Sequence, residues 1–133
     1  TRGYSRSVRA CGYGLELPDA AVQPLILAQI ESAEAVGHVR EIAAVDGLDV
    51  LFVGPADLSF DLKASGSTVT YDACLKTVAE AANACGRQAG ILNRNEADAT
   101  SLGELGYTVQ AIDSDTAILR QRYKDLVARF SAK

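Results

Sequence analysis

The chain has 133 residues, 48% of them hydrophobic, with a formal net charge of -4 and a pI near 4.9. That is long enough for one domain with a core and too apolar for a disordered chain. The acidic balance and the lack of any Lys/Arg cluster exclude nucleic acid and an anionic membrane surface as partners, and no apolar run approaches the ~20 residues that span a bilayer.

The chain opens on Thr1 rather than Met, and Arg2-Gly3-Tyr4-Ser5-Arg6 begins no recognisable element, so the sequence reads as a partial product. Arg2, Arg6 and Arg9 are better explained by solvation than by carboxylate binding. Gly12-Tyr13-Gly14 lacks the strand before it and the helix after it that a dinucleotide loop needs. Tyr4 and Tyr13 have no assignable partner. The three cysteines, Cys11, Cys74 and Cys85, are odd in number and show no C-x-x-C spacing. They read as small hydrophobes in a reducing, cytoplasmic setting rather than as a disulfide or metal framework.

Four apolar runs, residues 24–31, 48–54, 87–93 and 107–113, read as strands, and segments of helical period separate them. The first helical pattern covers 33–45, begins after Ser32 and stops near Asp46-Gly47. Residues 60–69 read as a polar loop after the second strand. Residues 70–85 put Cys74, Val78, Ala81 and Cys85 on one face, with Gly86 as an exit. Asn95 is placed to cap a helix running through 105 and ended by Gly106. Ser114 is placed to cap a last helix, 114–131, whose Leu119, Tyr123, Leu126 and Phe130 make an apolar stripe.

Strand and helix alternate throughout, which predicts an α/β fold of four parallel βα units in a single domain over 1–133. Four such units do not close an eightfold barrel. They make half of one, or an open sheet whose free edges want a partner, either a missing half or another copy.

Two of the runs deliver a carboxylate at the carboxyl end of a strand. In Leu27-Ala28-Gln29-Ile30-Glu31, period two puts Gln29 and Glu31 on one side and Ile30 on the other. Val50-Leu51-Phe52-Val53 leads through Gly54-Pro55 to Ala56-Asp57, where Gly54 permits close backbone approach and Pro55 stiffens the turn. Taken singly, Glu31 is as well explained by solvation, and Asp57 by capping a helical turn near Leu58. Together, two acids from successive strands suit a hard divalent cation, Mg²⁺ or Mn²⁺, with other divalent transition metals as alternatives. Backbone N–H groups at Ala56 and Asp57 are placed to receive an anion. Paired acids also cleave glycosides, but nothing else here suggests a sugar cleft. Arg94 follows the third strand and stands near the same rim. His38, the sole histidine, lies in a helical pattern away from any strand end and reads as a surface residue.

Gln29-Ile30-Glu31, Val45-Asp46-Gly47-Leu48-Asp49, Phe52-Val53-Gly54-Pro55-Ala56-Asp57-Leu58-Ser59 and Gly86-Arg87-Gln88-Ala89-Gly90-Ile91-Leu92 resemble the HpcH/HpaI aldolase family. Arg2-Gly3 and Arg6-Ser7-Val8-Arg9-Ala10 fit the linker ahead of Gln29. The resemblance implies the C-terminal half of a (β/α)₈ TIM barrel and a metal-dependent, pyruvate-using aldolase that makes or cleaves 4-hydroxy-2-oxo acids. It implies Glu31 and Asp57 as metal ligands, Gln29 as a substrate-side residue, and Ala56 and Asp57 as a cradle for the carboxylate of pyruvate or another 2-oxo acid. It also implies oligomers that exchange a last helix, here 114–131. The family's general-base histidine and carboxylate-holding arginine match no position in this sequence, so the catalytic base is unassigned and the chain alone is expected to turn over weakly or not at all. The run Phe60-Asp61-Leu62-Lys63-Ala64 departs from the family's small, glycine-containing one, which bears on aldehyde specificity. The competing reading is a non-catalytic half-barrel that serves as an interaction or assembly module.

Overall fold

Val50-Leu51-Phe52-Val53 forms the centre of a four-stranded parallel sheet in the computed structural model, which describes residues 24–131. The strands are β1 (Leu27–Ile30), β2 (Val50–Val53), β3 (Gln88–Asn93) and β4 (Tyr107–Ile112), paired in chain order β1-β2-β3-β4. Sequential parallel order with a crossover at each step is the arrangement of adjacent barrel units. The expectations on Arg2, Tyr4, Arg6, Arg9, Cys11 and Gly12-Tyr13-Gly14, and on the linker they belong to, lie outside the described residues.

One face of the sheet carries the core. Ile30, Leu51, Val53, Ala89, Ile91 and Tyr107 point into it, each nearly inaccessible. Helix α4 (Tyr71–Ala84) closes it from above with Cys74, Leu75, Val78, Ala79, Ala81 and Ala82. Each large apolar side chain removed from water there stabilises the fold by about 1.5–3 kcal/mol. The Tyr107 hydroxyl donates to the Leu75 carbonyl at 2.9 Å, so even the polar end of that ring is satisfied. Burial pushes the Tyr107 phenol well above its ordinary value. Burial, then Asp72 and Cys74, pushes Tyr71 up as well, and burial raises the Cys74 thiol. Cys74 and Cys85 are both free thiols.

The opposite face carries Leu27, Gln29, Phe52 and Gly90, and no helix lies over it among the described residues. Gly90 is required there. A Cβ at that position would lie 2.7 Å from Phe52 Cδ2 and 2.8 Å from Val50 Cγ1. Its absence leaves room for the Phe52 ring and the Val50 methyl beside the neighbouring strand.

The helices differ from the sequence expectation in three places. The pattern over 33–45 is two short helices, α1 (Ala33–Gly37) and α2 (Val39–Ala43), because His38 leaves helical geometry at φ -101, ψ 10. The segment 60–69 is not one polar loop: Pro55–Ala64 forms α3, and the loop begins only at Ser65. Gly54 in extended conformation and Pro55 at the first helical position start α3, and Leu58 and Leu62, one turn apart, bury its inner side. The third difference is in α6 (Asp115–Ser131), capped by Ser114 as expected, whose Ala117 N–H donates to Ser114 Oγ at 3.3 Å. Its apolar residues Ile118, Leu119, Tyr123, Val127 and Phe130 are all exposed, and the helix buries none of its residues. Asn95 caps a short 3-10 turn, Glu96–Asp98, that leads into α5 (Ala99–Leu105), which Gly106 ends at φ 109.

At the amino ends of the strands the polar groups tie to one another. Asp49 Oδ2 accepts from Ile26 N–H at 2.8 Å, and the Asp49 carbonyl accepts from Gln88 N–H at 3.0 Å. Arg87 donates from Nε to the Ala43 carbonyl at 3.0 Å and from Nη2 to the Val45 carbonyl at 3.1 Å, satisfying the open end of α2. No helix among the described residues is long and apolar enough to cross a membrane.

Candidate functional site

The sheet register sets the site. Gln29 pairs with Phe52 and Ile30 with Val53, so one residue beyond each strand Glu31 comes to Gly54. Gly54 N–H donates to the Ile30 carbonyl at 3.2 Å, which continues the ladder by one bond. The Glu31 side chain then lies directly on the bare Gly54 backbone. A Cβ on Gly54 would sit 2.6 Å from Glu31 Oε1 and 2.8 Å from its Cγ. Any larger residue at 54 would displace the carboxylate.

Gln29 and Glu31 share a side, as the period-two reading requires, and they touch. Gln29 Nε2 donates to Glu31 Oε1 at 2.8 Å. The amide thus holds one carboxylate oxygen and leaves Oε2 with no recorded partner among the described residues. This contact with the acid does not bear on the substrate-side role expected of Gln29.

Gly54 is also the N-cap of α3, which makes Asp57 the third residue of its first turn. That places Asp57 three residues along the chain from the glycine on which Glu31 rests. Asp57 is exposed, and so is Ala56. Pro55 has no N–H, and Leu58 N–H is used within the helix, donating to the Gly54 carbonyl at 3.0 Å. The N–H groups of Ala56 and Asp57 therefore remain as the open donors at the positive end of a ten-residue helix.

One residue that sequence reasoning placed in a loop belongs to this geometry. Asp61 Oδ2 accepts from Ala33 N–H at 2.7 Å, linking α3 to the segment just after Glu31. Nothing local could have flagged it, since the partners lie 28 positions apart.

The remaining candidates stand elsewhere. His38 is exposed on the helical layer with Nδ1 3.2 Å from Glu41 Oε2, away from the strand ends. Arg94 is exposed at the end of β3, on the rim of a cleft of about 890 Å³ between α4 and α5. Pro55 and Ala56 border one end of this cleft, while Gln29, Glu31 and Asp57 do not line it. Beside Arg94, Asn93 is buried with both side-chain heteroatoms bonded: its Nδ2 donates to Gln110 Oε1 at 3.0 Å, and its Oδ1 accepts from Asn95 N–H at 2.9 Å.

Carboxylates such as Glu31 and Asp57 are the donor type that a hard ion takes when water and substrate fill the rest of its shell. They do not make a closed structural site. Among the described residues no three His, Cys, Asp or Glu side chains gather in one place.

Comparison with known proteins follows the same outline. The chain is 44% identical over 97 residues to a 4-hydroxy-2-oxovalerate aldolase of Novosphingobium aromaticivorans, covering 71% of this chain and 37% of that protein. It is 38% identical over 110 residues to a 4-hydroxy-2-oxo-heptane-1,7-dioate aldolase of Salmonella arizonae, covering 81% of this chain and 42% of that one. The chain therefore spans about two fifths of the curated relatives it matches. The crystal structure of an HpcH/HpaI aldolase/citrate lyase family protein from Burkholderia cenocepacia superposes with a TM-score of 0.74 at 31% identity, over 99% of this chain and 53% of that one. Four parallel βα units matching about half of such a chain are half of a (β/α)₈ barrel. The family model described as HpcH/HpaI aldolase/citrate lyase matches residues 4–121, and the chain belongs to that family.

Proposed function

We propose that this chain supplies the metal-holding half of an aldolase that cleaves or forms 4-hydroxy-2-oxo acids, with pyruvate or a related 2-oxo acid as one partner. The observation that carries the reading is the seat of Glu31 on Gly54, at the cap of the helix whose first turn bears Asp57. Two relatives are named for this substrate class, which supports it for the whole protein.

In this reading Glu31 and Asp57 hold a divalent cation, Mg²⁺ or Mn²⁺. Such an ion supplies Lewis-acid polarisation of the 2-oxo group. Gln29 fixes the rotamer of Glu31 and leaves its second oxygen for the ion. The N–H groups of Ala56 and Asp57 receive the substrate carboxylate, assisted by the helix dipole. Cleavage breaks the bond between C3 and C4. The 4-hydroxyl gives up its proton as the aldehyde leaves, and the bond pair stays on the 2-oxo acid fragment until a proton returns to C3. No described residue is assigned as that base. His38 is turned to Glu41 on the helical layer.

The test is a titration of the chain with Mn²⁺ in the presence of pyruvate. The native chain is expected to bind the ion, and Glu31→Gln and Asp57→Asn are each expected to lose binding by about two orders of magnitude with an unchanged fold. Equal binding by all three overturns the reading and favours the non-catalytic module.

We infer further that the half-barrel works as part of an assembly. Among the described residues β1 and β4 each have one unpaired edge, the inner sheet face has no cover, and α6 buries nothing. Exchange of α6 with a second subunit would bury Leu119, Tyr123 and Phe130. Sedimentation is expected to show a dimer or larger species, and a stable monomer contradicts this.

A further inference from the structure

We propose that Asp61 is a positioning residue for the candidate metal pair, locking the segment that carries Glu31 onto the helix that carries Asp57. This rests on the reading of Glu31 and Asp57 as that pair.

Glu31 sits between two backbone groups that both bond to the same stretch of chain. On one flank the Ile30 carbonyl accepts from Gly54 N–H at 3.2 Å. On the other, Ala33 N–H donates to Asp61 Oδ2 at 2.7 Å. Gly54 and Asp61 bracket Asp57, so the two carboxylates are tied together through a closed ring of main chain and one side chain. Asp61 lies one helical turn beyond Asp57, and residues four apart share a side of a helix. The bond from Asp61 to Ala33 therefore turns that side of α3 toward the chain leaving β1.

The role is not explained by helix capping alone. Ser32 already caps α1, its Oγ accepting from Ala35 N–H at 3.1 Å and its carbonyl from Val36 N–H at 3.0 Å. Asp61 comes from a different element and adds a charge-assisted bond in a half-buried place, where such bonds are short and directional. Gln29 holds the side chain of Glu31; Asp61 holds the main chain two residues beyond it.

The donor can be removed as well as the acceptor. Ala33 is the first residue of α1, a position where proline is at home. Ser32 before it is extended, at φ -140 and ψ 158, as a residue preceding proline must be. Ala33→Pro thus deletes the N–H and keeps both the helix start and the Asp61 carboxylate.

The experiment measures Mn²⁺ affinity by the free-ion EPR signal on the full 133-residue chain, with thermal melting alongside. Asp61→Ala and Ala33→Pro are each expected to weaken Mn²⁺ binding by about tenfold, as loss of outer partners of ligating carboxylates does. The double variant is expected to be no weaker than either single one, because both remove the same bond. Asp61→Asn keeps an oxygen acceptor and is expected to keep most of the affinity, which also serves if Asp61→Ala fails to fold. Lower melting with unchanged Mn²⁺ affinity marks a structural tie only and overturns the proposal. So does a double variant whose loss is the product of the two single losses. Asp57→Asn separates the two claims: if it binds Mn²⁺ like the native chain, the metal pair itself is wrong, whatever Asp61 does.

Discussion

The two ends of this sheet handle polar groups in opposite ways. At the amino ends, the Asp49 carboxylate, the Gln88 N–H and the Arg87 guanidinium all bond to neighbouring main chain, and the guanidinium closes the end of α2. At the carboxyl ends of β1 and β2, Asp57 stands exposed, and one oxygen of Glu31 and two N–H groups of α3 have no partner among the described residues. The carboxyl rim also carries Asp113, the one non-glycine residue at positive φ among those described, at 53°. A closed rim is what stability asks for and an open one is what chemistry asks for, and in barrel enzymes the open rim is the carboxyl one.

That comparison breaks first at Gly54. Gly54→Ala places a methyl against Glu31 Oε1 and Cγ, at 2.6 and 2.8 Å before relaxation. The glutamate is flexible and will swing away, so the fold should survive while Mn²⁺ affinity drops by about a hundredfold, near 2.7 kcal/mol. An unchanged affinity would mean that Glu31 is not held for a ligand. Arg87→Ala attacks the opposite rim. It removes two hydrogen bonds from a charged, half-buried donor and should cost about 2 kcal/mol of unfolding free energy, read in a urea melt, with no change in Mn²⁺ affinity. A loss of metal binding there would erase the division between the rims.

The smallest effect concerns the core between them. Tyr107→Phe should lose about 1 kcal/mol for the bond to the Leu75 carbonyl. It should also change the alkaline limb of stability. The folded state holds the Tyr107 phenol neutral above its ordinary value of 10.0, while the unfolded chain ionises it there. Stability from this group is therefore fully present below about pH 10 and falls as pH rises beyond it. Denaturant melts of the native chain and the variant between pH 9 and roughly pH 11 test the sign, and a native chain that gains stability over that window contradicts it.

Much of the architecture is readable from residues alone because parallel strands are short apolar runs and their helices announce their ends. Ser32, Asn95, Ser114, Gly86 and Gly106 all stand at element boundaries, as their side chains or conformational freedom require. The pairing of Gln29 with Glu31 follows from period two. Helix α3 was hidden because Asp57, Ser59, Asp61 and Lys63 dilute the two leucines that bury its inner side. The break at His38 has no composition signal; Val36 and Val39 on either side of it are both buried, and residues three apart share one face of an unbroken helix as well. Asp61 and Arg87 were unreadable for a different reason. Their partners lie 28 and more than 40 residues away, and only the folded sheet brings them near.

The central claim is tested most directly by anomalous diffraction from crystals grown with Mn²⁺ and pyruvate. One manganese peak is expected within ~2.1 Å of a carboxylate oxygen from Glu31 and of another from Asp57, with the pyruvate carboxylate beside the Ala56 and Asp57 N–H groups. A peak bound by only one of these acids, or located away from the carboxyl rim of β1 and β2, would contradict it.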